Sequence, residues 1–143
     1  MRHILVPIDP TQPARTRSAI EQVVGIWREE PVRVRLLRVR PKVSPHVAMF
    51  FGARELQDLQ LEAGDEDLAD AQGLLDAAGV PYTSTVLVGR GAETIVKTAR
   101  ELGCDRIIFG QEQPGLAGRI FGSLAQQVRQ LLGANGDLQV IGS

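Results

Sequence analysis

Short apolar, β-branched segments alternate with longer amphipathic segments along this chain. The segments at residues 3–8, 32–39, 82–88, 105–109 and 138–141 have the length and composition of strands. Between them, apolar residues recur every three to four positions at 15–27, 54–78, 92–102 and 124–132, which predicts four helices. Strict alternation of strand and helix requires a parallel sheet with crossover helices. The sequence therefore predicts one doubly wound α/β domain with a five-stranded parallel sheet, spanning residues 1–143.

Composition excludes several classes of function. The chain has 143 residues and a formal net charge of −1, so it lacks the basic excess that binds a nucleic-acid backbone. It contains no run of about 18 apolar residues that could span a membrane. The apolar run at the N-terminus is too short for a signal-peptide core, and the single cysteine, Cys104, has no partner for an internal disulfide. We therefore expect a cytoplasmic protein that binds neither nucleic acid nor membranes.

A ligand site is expected where the strand order of a doubly wound sheet reverses, beyond the carboxyl ends of the strands. If strands 1 and 4 flank that point, one loop begins at Asp9 and the other runs over residues 110–123. Glycines in the second loop would let its backbone N–H groups approach an anion, and Arg119 and Ser123 could add a charge and a hydroxyl. The glycines are Gly110, Gly115, Gly118 and Gly122. The loop alone is equally consistent with a glycine-rich linker in which Ser123 caps the next helix.

Catalytic and metal-binding motifs are not apparent in the sequence. His3, His46 and Cys104 are too few to form a metal site without several carboxylates, so no metal site is predicted. The sequence contains neither a nucleophile elbow nor a lysine-bearing P-loop, and we predict no catalytic residue. The turn at residues 89–91 begins like a dinucleotide fingerprint but lacks its third glycine, which favours a simple strand-to-helix turn.

Four segments in order resemble the universal stress protein family: ILVPID at residues 4–9, RLLRV at 35–39, VGRGAETIVKTARELGCDRIIFG at 88–110, and Gly-Ser before the last helix and strand. The resemblance implies an adenine nucleotide alpha hydrolase-like fold with strand order 3-2-1-4-5. It also implies that ATP or another adenine nucleotide binds, with or without magnesium. Asp9 would contact the ribose or adenine, the Val39 backbone would meet the base, and Pro7 and Ile8 would line the pocket.

The phosphate loop departs from the family pattern Gly-x2-Gly-x9-Gly-Ser/Thr. Gln113 occupies the position of the second glycine, and the spacing from Gly110 to Gly122 is one residue shorter. Two functions therefore stay open: a stress-response module that binds an adenine nucleotide, and a nucleotide-free module that works through protein contacts. Slow ATP hydrolysis is a third alternative, for which the sequence supplies no general base.

Two segments suggest protein contacts. Strand 5 is the last predicted strand and has no charged residue to discourage edge pairing, and the resemblance likewise implies a homodimer through it. Its predicted residues are Leu138, Gln139, Val140 and Ile141. The apolar run at residues 47–51 falls in a predicted loop, where it could either fold back into the core or form a contact surface.

Overall fold

The computed structural model describes residues 1–111, 124–133 and 138–142. Within these ranges the chain forms five strands and five helices. The strands are β1 (Arg2–Pro7), β2 (Val32–Arg40), β3 (Thr83–Val88), β4 (Arg106–Ile108) and β5 (Gln139–Ile141). The helices are α1 (Pro13–Glu29), α2 (Pro45–Ala48), α3 (Ala53–Ala78), α4 (Gly91–Glu101) and α5 (Leu124–Leu132).

All strand pairs in the sheet are parallel, and their order is β3-β2-β1-β4-β5, which confirms the predicted topology. The central strand β1 is apolar on both faces because it is covered on both: Ile4, Leu5 and Val6 are fully buried. The order reverses between β1 and β4, as predicted. Leu138 was predicted to begin strand 5, but the strand begins one residue later.

Two apolar clusters lie on opposite faces of the sheet. On one face, Ile4 and Val6 pack with residues of α1 and α3 such as Val23 and Leu68. On the other face, Leu5 packs with residues of α4 and α5. The amphipathic helices therefore form the outer layers of a three-layer α/β/α domain.

The helix boundaries follow local signals. Gly79 ends α3 in the left-handed conformation with φ 73°, where its N–H donates to the carbonyls of the last turn, and Pro81 follows two residues later. The predicted count of four helices was one short. The four-residue helix α2 forms in the predicted loop because Ser44 caps it: its hydroxyl accepts a hydrogen bond from the Val47 N–H, and Pro45 occupies the first helical position. None of the described helices is long and apolar enough to cross a membrane.

Candidate functional site

A crevice opens at the carboxyl ends of β1 and β2. The last residue pair between these strands is Pro7 with Leu37, and β2 continues to Arg40 after β1 has ended. On the other side of β1, β4 ends at Ile108. A cavity of about 300 Å³ lies beyond the carboxyl ends of β2, β1 and β4. This volume is at the lower end of the range for small-molecule sites, about 300–1,000 Å³.

The structure brings half of the predicted site residues together. The lining of the cavity includes Pro7, Ile8, Asp9, Val39 and Gly110. The remaining predicted residues, Gly115, Gly118, Arg119, Gly122 and Ser123, lie outside the described residues, as does Gln113. The predicted meeting of the strand 1 and strand 4 loops is therefore seen at its two first residues, Asp9 and Gly110.

The Asp9 carboxylate organises the turn between β1 and α1. Its Oδ1 accepts hydrogen bonds from the backbone N–H of Thr11 at 2.9 Å and from the Thr11 hydroxyl at 2.6 Å. The side-chain amide of Gln12 approaches Oδ2 at 3.4 Å. These contacts fix the carboxylate at the rim of the cavity, and a carboxylate has more lone pairs than they use. Asp9 can therefore accept further hydrogen bonds from a ligand.

The position of Val39 directs its backbone toward the cavity. The Ile8 N–H donates to the Leu37 carbonyl at 2.8 Å, so the polar backbone groups of Leu37 face β1. Backbone direction alternates along a strand, so those of Val39 face the same side, beyond the last pair with β1. Arg40 faces the other way, and its carbonyl accepts from the Gly89 N–H at 3.0 Å. Val39 thus presents one donor and one acceptor where β1 no longer competes for them.

A network of charged side chains supports the β2 side of the crevice. The Asp67 carboxylate on α3 accepts from Arg38 Nε at 2.9 Å and from Arg40 Nη1 at 3.3 Å. Gln60, which is buried, accepts from Arg40 Nε at 2.9 Å and donates to the Pro41 carbonyl at 3.0 Å. Arg38 also lines the cavity. The network therefore ties the end of β2 to α3 directly beside the site.

Several residues at the cavity were not predicted as site residues. They come from the residue before α1, the first two turns of α1 and α4, the start of α5, the later part of β2 and the residue after β4. They are Gln12, Arg15, Thr16, Ala19, Leu37, Arg38, Gly91, Ile95, Phe109 and Leu124. In a parallel sheet every crossover helix begins at the edge where the strands end, so residues just after each strand should be considered together. That rule would have recovered Gly91, which was predicted to lie in a simple strand-to-helix turn.

Two groups with shifted pKa values, His3 and Cys104, lie at the opposite edge of the sheet. Burial lowers the pKa of His3, while a hydrogen bond with the Leu102 carbonyl at 3.2 Å partly offsets this effect. Burial raises the pKa of the Cys104 thiol to about 11. His3 lies near the start of β1 and Cys104 lies just before β4, whereas the cavity lies at the carboxyl ends of these strands. We therefore assign them to the stability of the fold and not to the site.

The apolar run at residues 47–51 does not fold back into the core as a whole. Met49 and Phe50 are 75% and 73% exposed, and the Phe50 ring contacts His46 edge-to-face with centroids 5.7 Å apart. Phe51 is half-buried. Core packing therefore does not account for Phe50, while a contact role for this run stays a prediction.

Comparison with known proteins gives a consistent result. The model of the Universal stress protein family matches residues 1–132 of this chain. A search of curated proteins gave no significant match.

Solved structures of similar fold include proteins from Archaeoglobus fulgidus and Arabidopsis thaliana. A universal stress protein from Archaeoglobus fulgidus is 22% identical, with a TM-score of 0.71 over 99% of this chain and 98% of that one. A structure of the Archaeoglobus fulgidus protein in complex with dAMP gives 22% identity and a TM-score of 0.66, covering 99% and 97% of the two chains. A universal stress protein family protein from Arabidopsis thaliana with AMP bound is 15% identical, with a TM-score of 0.65 over 99% of this chain and 92% of that one. At these identities the likeness establishes the fold.

Proposed function

This chain belongs to the universal stress protein family, and on that premise we propose that it is a stress-response regulatory module that binds an adenine nucleotide in the cavity between β1 and β4. One observation carries the proposal: Asp9, Val39 and Gly110 line a single cavity at the point where the strand order reverses. Proteins of the same fold have been solved with dAMP and with AMP bound. No residue is proposed as catalytic.

The base would bind at the end of β2. The outward N–H and C=O of Val39 form a donor–acceptor pair, and the Watson–Crick edge of adenine offers the complementary acceptor and donor. The Val39 side chain belongs to the apolar cluster on the α4 face, and Pro7 and Ile8 supply apolar surface beside it. Backbone recognition of this kind would not depend on the identity of the side chain at position 39.

The ribose and phosphates would extend across the end of β1. The fixed Asp9 carboxylate would accept hydrogen bonds from ribose hydroxyls, and the loop that begins at Gly110 would meet the phosphates. By family resemblance, the phosphate contacts would come from Gly115, Gly118, Arg119, Gly122 and Ser123. Magnesium, if required, would act on the phosphates.

Calorimetric titration with AMP, cyclic AMP and ATP, each with and without magnesium, tests the proposal. We expect saturable binding that Asp9→Asn weakens about 10- to 100-fold, since hydrogen bonds to a charged group contribute about 1.5–3 kcal/mol. Asp65→Asn is the matched control, because Asp65 lies exposed on α3 away from the cavity, and should bind like the wild type. Absence of heat and of saturation at millimolar nucleotide would favour the nucleotide-free module that works through protein contacts.

We also propose that the module self-associates through β5. This strand lies at the edge of the sheet, and Gln139, Val140 and Ile141 carry no charge to discourage pairing. A two-fold axis would pair the strand with its copy in antiparallel orientation, with Leu138 beside it. Sedimentation equilibrium tests this proposal. A monomer at micromolar concentration would contradict it.

A further inference from the structure

The backbone groups of β5 divide between β4 and the open edge. The Gln139 N–H donates to the Asp105 carbonyl at 2.9 Å, and the Ile141 carbonyl accepts from the Phe109 N–H at 2.7 Å. Gln139 and Ile141 therefore face β4. Because direction alternates along the strand, the N–H and C=O of Val140 face outward, where a further strand would bind, and Gly142 follows directly after the strand.

Arg129, in the last turn of α5, reaches the outward carbonyl of Val140 and the carbonyl of Gly142. Its Nη2 donates to the Val140 carbonyl at 3.4 Å and to the Gly142 carbonyl at a shorter distance. One acceptor lies on the open edge of β5, and the other lies in the residue that directly follows the strand. The edge of β5 is thus capped within the chain by a helix side chain.

Gly142 holds the second acceptor in place. Its φ is +110°, which L side chains rarely adopt, and an added Cβ would overlap the Phe109 carbonyl oxygen. The chain therefore passes β4 closely at this residue, and its carbonyl is directed toward α5. Two separate features, the glycine and the arginine, produce the same cap.

We propose that Arg129 competes within the chain for the edge that a second copy would pair with. A carbonyl has two lone pairs, but a pairing strand lies only about 4.8 Å away, in the space that the guanidinium occupies. Self-association through β5 therefore requires Arg129 to leave both carbonyls. This inference rests on the proposed self-association through β5 and identifies the residue that limits it.

Sedimentation equilibrium of wild type, Arg129→Met and Arg129→Lys tests the competition. Methionine keeps much of the aliphatic stem but removes every donor, and we expect the dimer dissociation constant to fall roughly five- to tenfold, as the loss of one net hydrogen bond allows. Lysine keeps the charge and should give an intermediate value. Arg100→Met is the matched control: Arg100 is exposed in the last turn of α4, and its replacement should leave association unchanged.

A second substitution tests whether the freed edge is the surface that pairs. Val140→Pro in the Arg129→Met protein removes an outward N–H and leaves the bonds of Gln139 and Ile141 to β4 intact, so it should abolish the gain in association. Protection of the Gln139 amide from hydrogen exchange reports that β5 stays in the sheet. Protection should persist in both proteins.

The proposal would be overturned if Arg129→Met associated no more tightly than the wild type, or if its gain in association survived Val140→Pro. It would also be overturned if the Gln139 amide lost protection in Arg129→Met, because Arg129 would then hold β5 in place. Failure of the proposed wild-type dimer can be distinguished from failure of the proposed competition. A β5 dimer insensitive to Arg129 contradicts only the competition, whereas a monomeric wild type with a dimeric Arg129→Met protein contradicts only the wild-type dimer.

Discussion

Gly110 and Arg15 are in direct backbone contact: a Cβ atom on Gly110 would overlap the carbonyl oxygen of Arg15. The next residue, Gln111, donates its N–H to the Ser18 hydroxyl at 3.1 Å, so the loop after β4 begins pressed against α1. Both Gly110 and Arg15 line the candidate cavity. From its sequence context, this glycine is predicted to let the backbone approach a ligand closely. The structure gives it a second role, which is to let a loop and a helix meet at the base of the site.

Gly110→Ala should therefore destabilise the fold and weaken nucleotide binding together. Overpacking against backbone typically costs about 1–3 kcal/mol in the free energy of unfolding, because neither the loop at Gly110 nor helix α1 can shift without moving the packed segments around it. Gly25→Ala is the control: Gly25 lies in α1 with no atom within 4 Å of an added Cβ, and alanine should stabilise the helix by about 1 kcal/mol. Urea unfolding of both variants, with calorimetric titration, measures the difference. Unchanged stability of Gly110→Ala would contradict the contact.

The strand order was implied by the family resemblance. The alternation of strands and helices, and the meeting of Asp9 with the start of the strand 4 loop, were predicted from the sequence pattern. These predictions were possible because hydrophobic periodicity reports local burial, and a parallel sheet gathers its loops at one edge. The roles of Arg38 and Asp67 did not follow from the sequence. Their pairing depends on how α3 packs over β2, and the sequence pattern alone does not distinguish Asp67 from the other acidic residues of that helix. Helix α2 was missed because four residues are too few for periodicity, although Ser44 before Pro45 was a readable start signal.

Gly64 on α3 allows that helix to pack closely on β3. A Cβ at this position would overlap Val86 Cγ1 and lie 2.8 Å from Cγ2. Gly64→Ala should therefore cost about 1–3 kcal/mol. In a Val86→Ala background the same change should be neutral or stabilising, since alanine favours helix by about 1 kcal/mol over glycine. Gly73→Ala, exposed on the same helix with open space, is the control and should stabilise. Thermal unfolding of the two single variants and the double variant tests this contact. Additive effects of Gly64→Ala and Val86→Ala on stability would contradict it.

Asp67 should matter more than an exposed partner of an ion pair. Its side chain is 19% exposed and serves both Arg38 and Arg40, so Asp67→Asn leaves two half-buried guanidinium groups with a weaker acceptor. We expect a loss of about 1–2 kcal/mol in the free energy of unfolding. Glu101→Gln is the comparison, because its pair with Lys97 is 64% and 76% exposed, and it should change stability by less than about 0.5 kcal/mol. Equal effects of the two variants in denaturant unfolding would argue against the network.

His3 should make stability depend on pH in mildly acidic solution. Burial lowers its pKa in the folded chain below the ordinary value of 6.5, so the unfolded chain binds the proton more tightly. The contribution of His3 is therefore fully present above pH 6.5 and is lost as the pH falls through the folded-state pKa. We expect the wild type to lose more stability than His3→Gln between pH 7 and pH 5, as measured by urea unfolding at each pH. Parallel curves for the two proteins would contradict this assignment.

Phe50 should contribute little to stability although it is a large apolar residue. At 73% exposure it loses little water-accessible surface on folding, so Phe50→Ser should lower the free energy of unfolding by less than about 1 kcal/mol. Phe109 is 2% exposed in the cluster on the α4 face, and its replacement by alanine should cost about 3–5 kcal/mol. Denaturant unfolding of the two variants separates an exposed phenylalanine from a core one.

If Phe50 serves a protein contact, Phe50→Ser should alter assembly in sedimentation while the midpoint of unfolding stays nearly constant. A loss of stability as large as that of the Phe109 variant, with unchanged assembly, would place Phe50 in the core and remove the contact role.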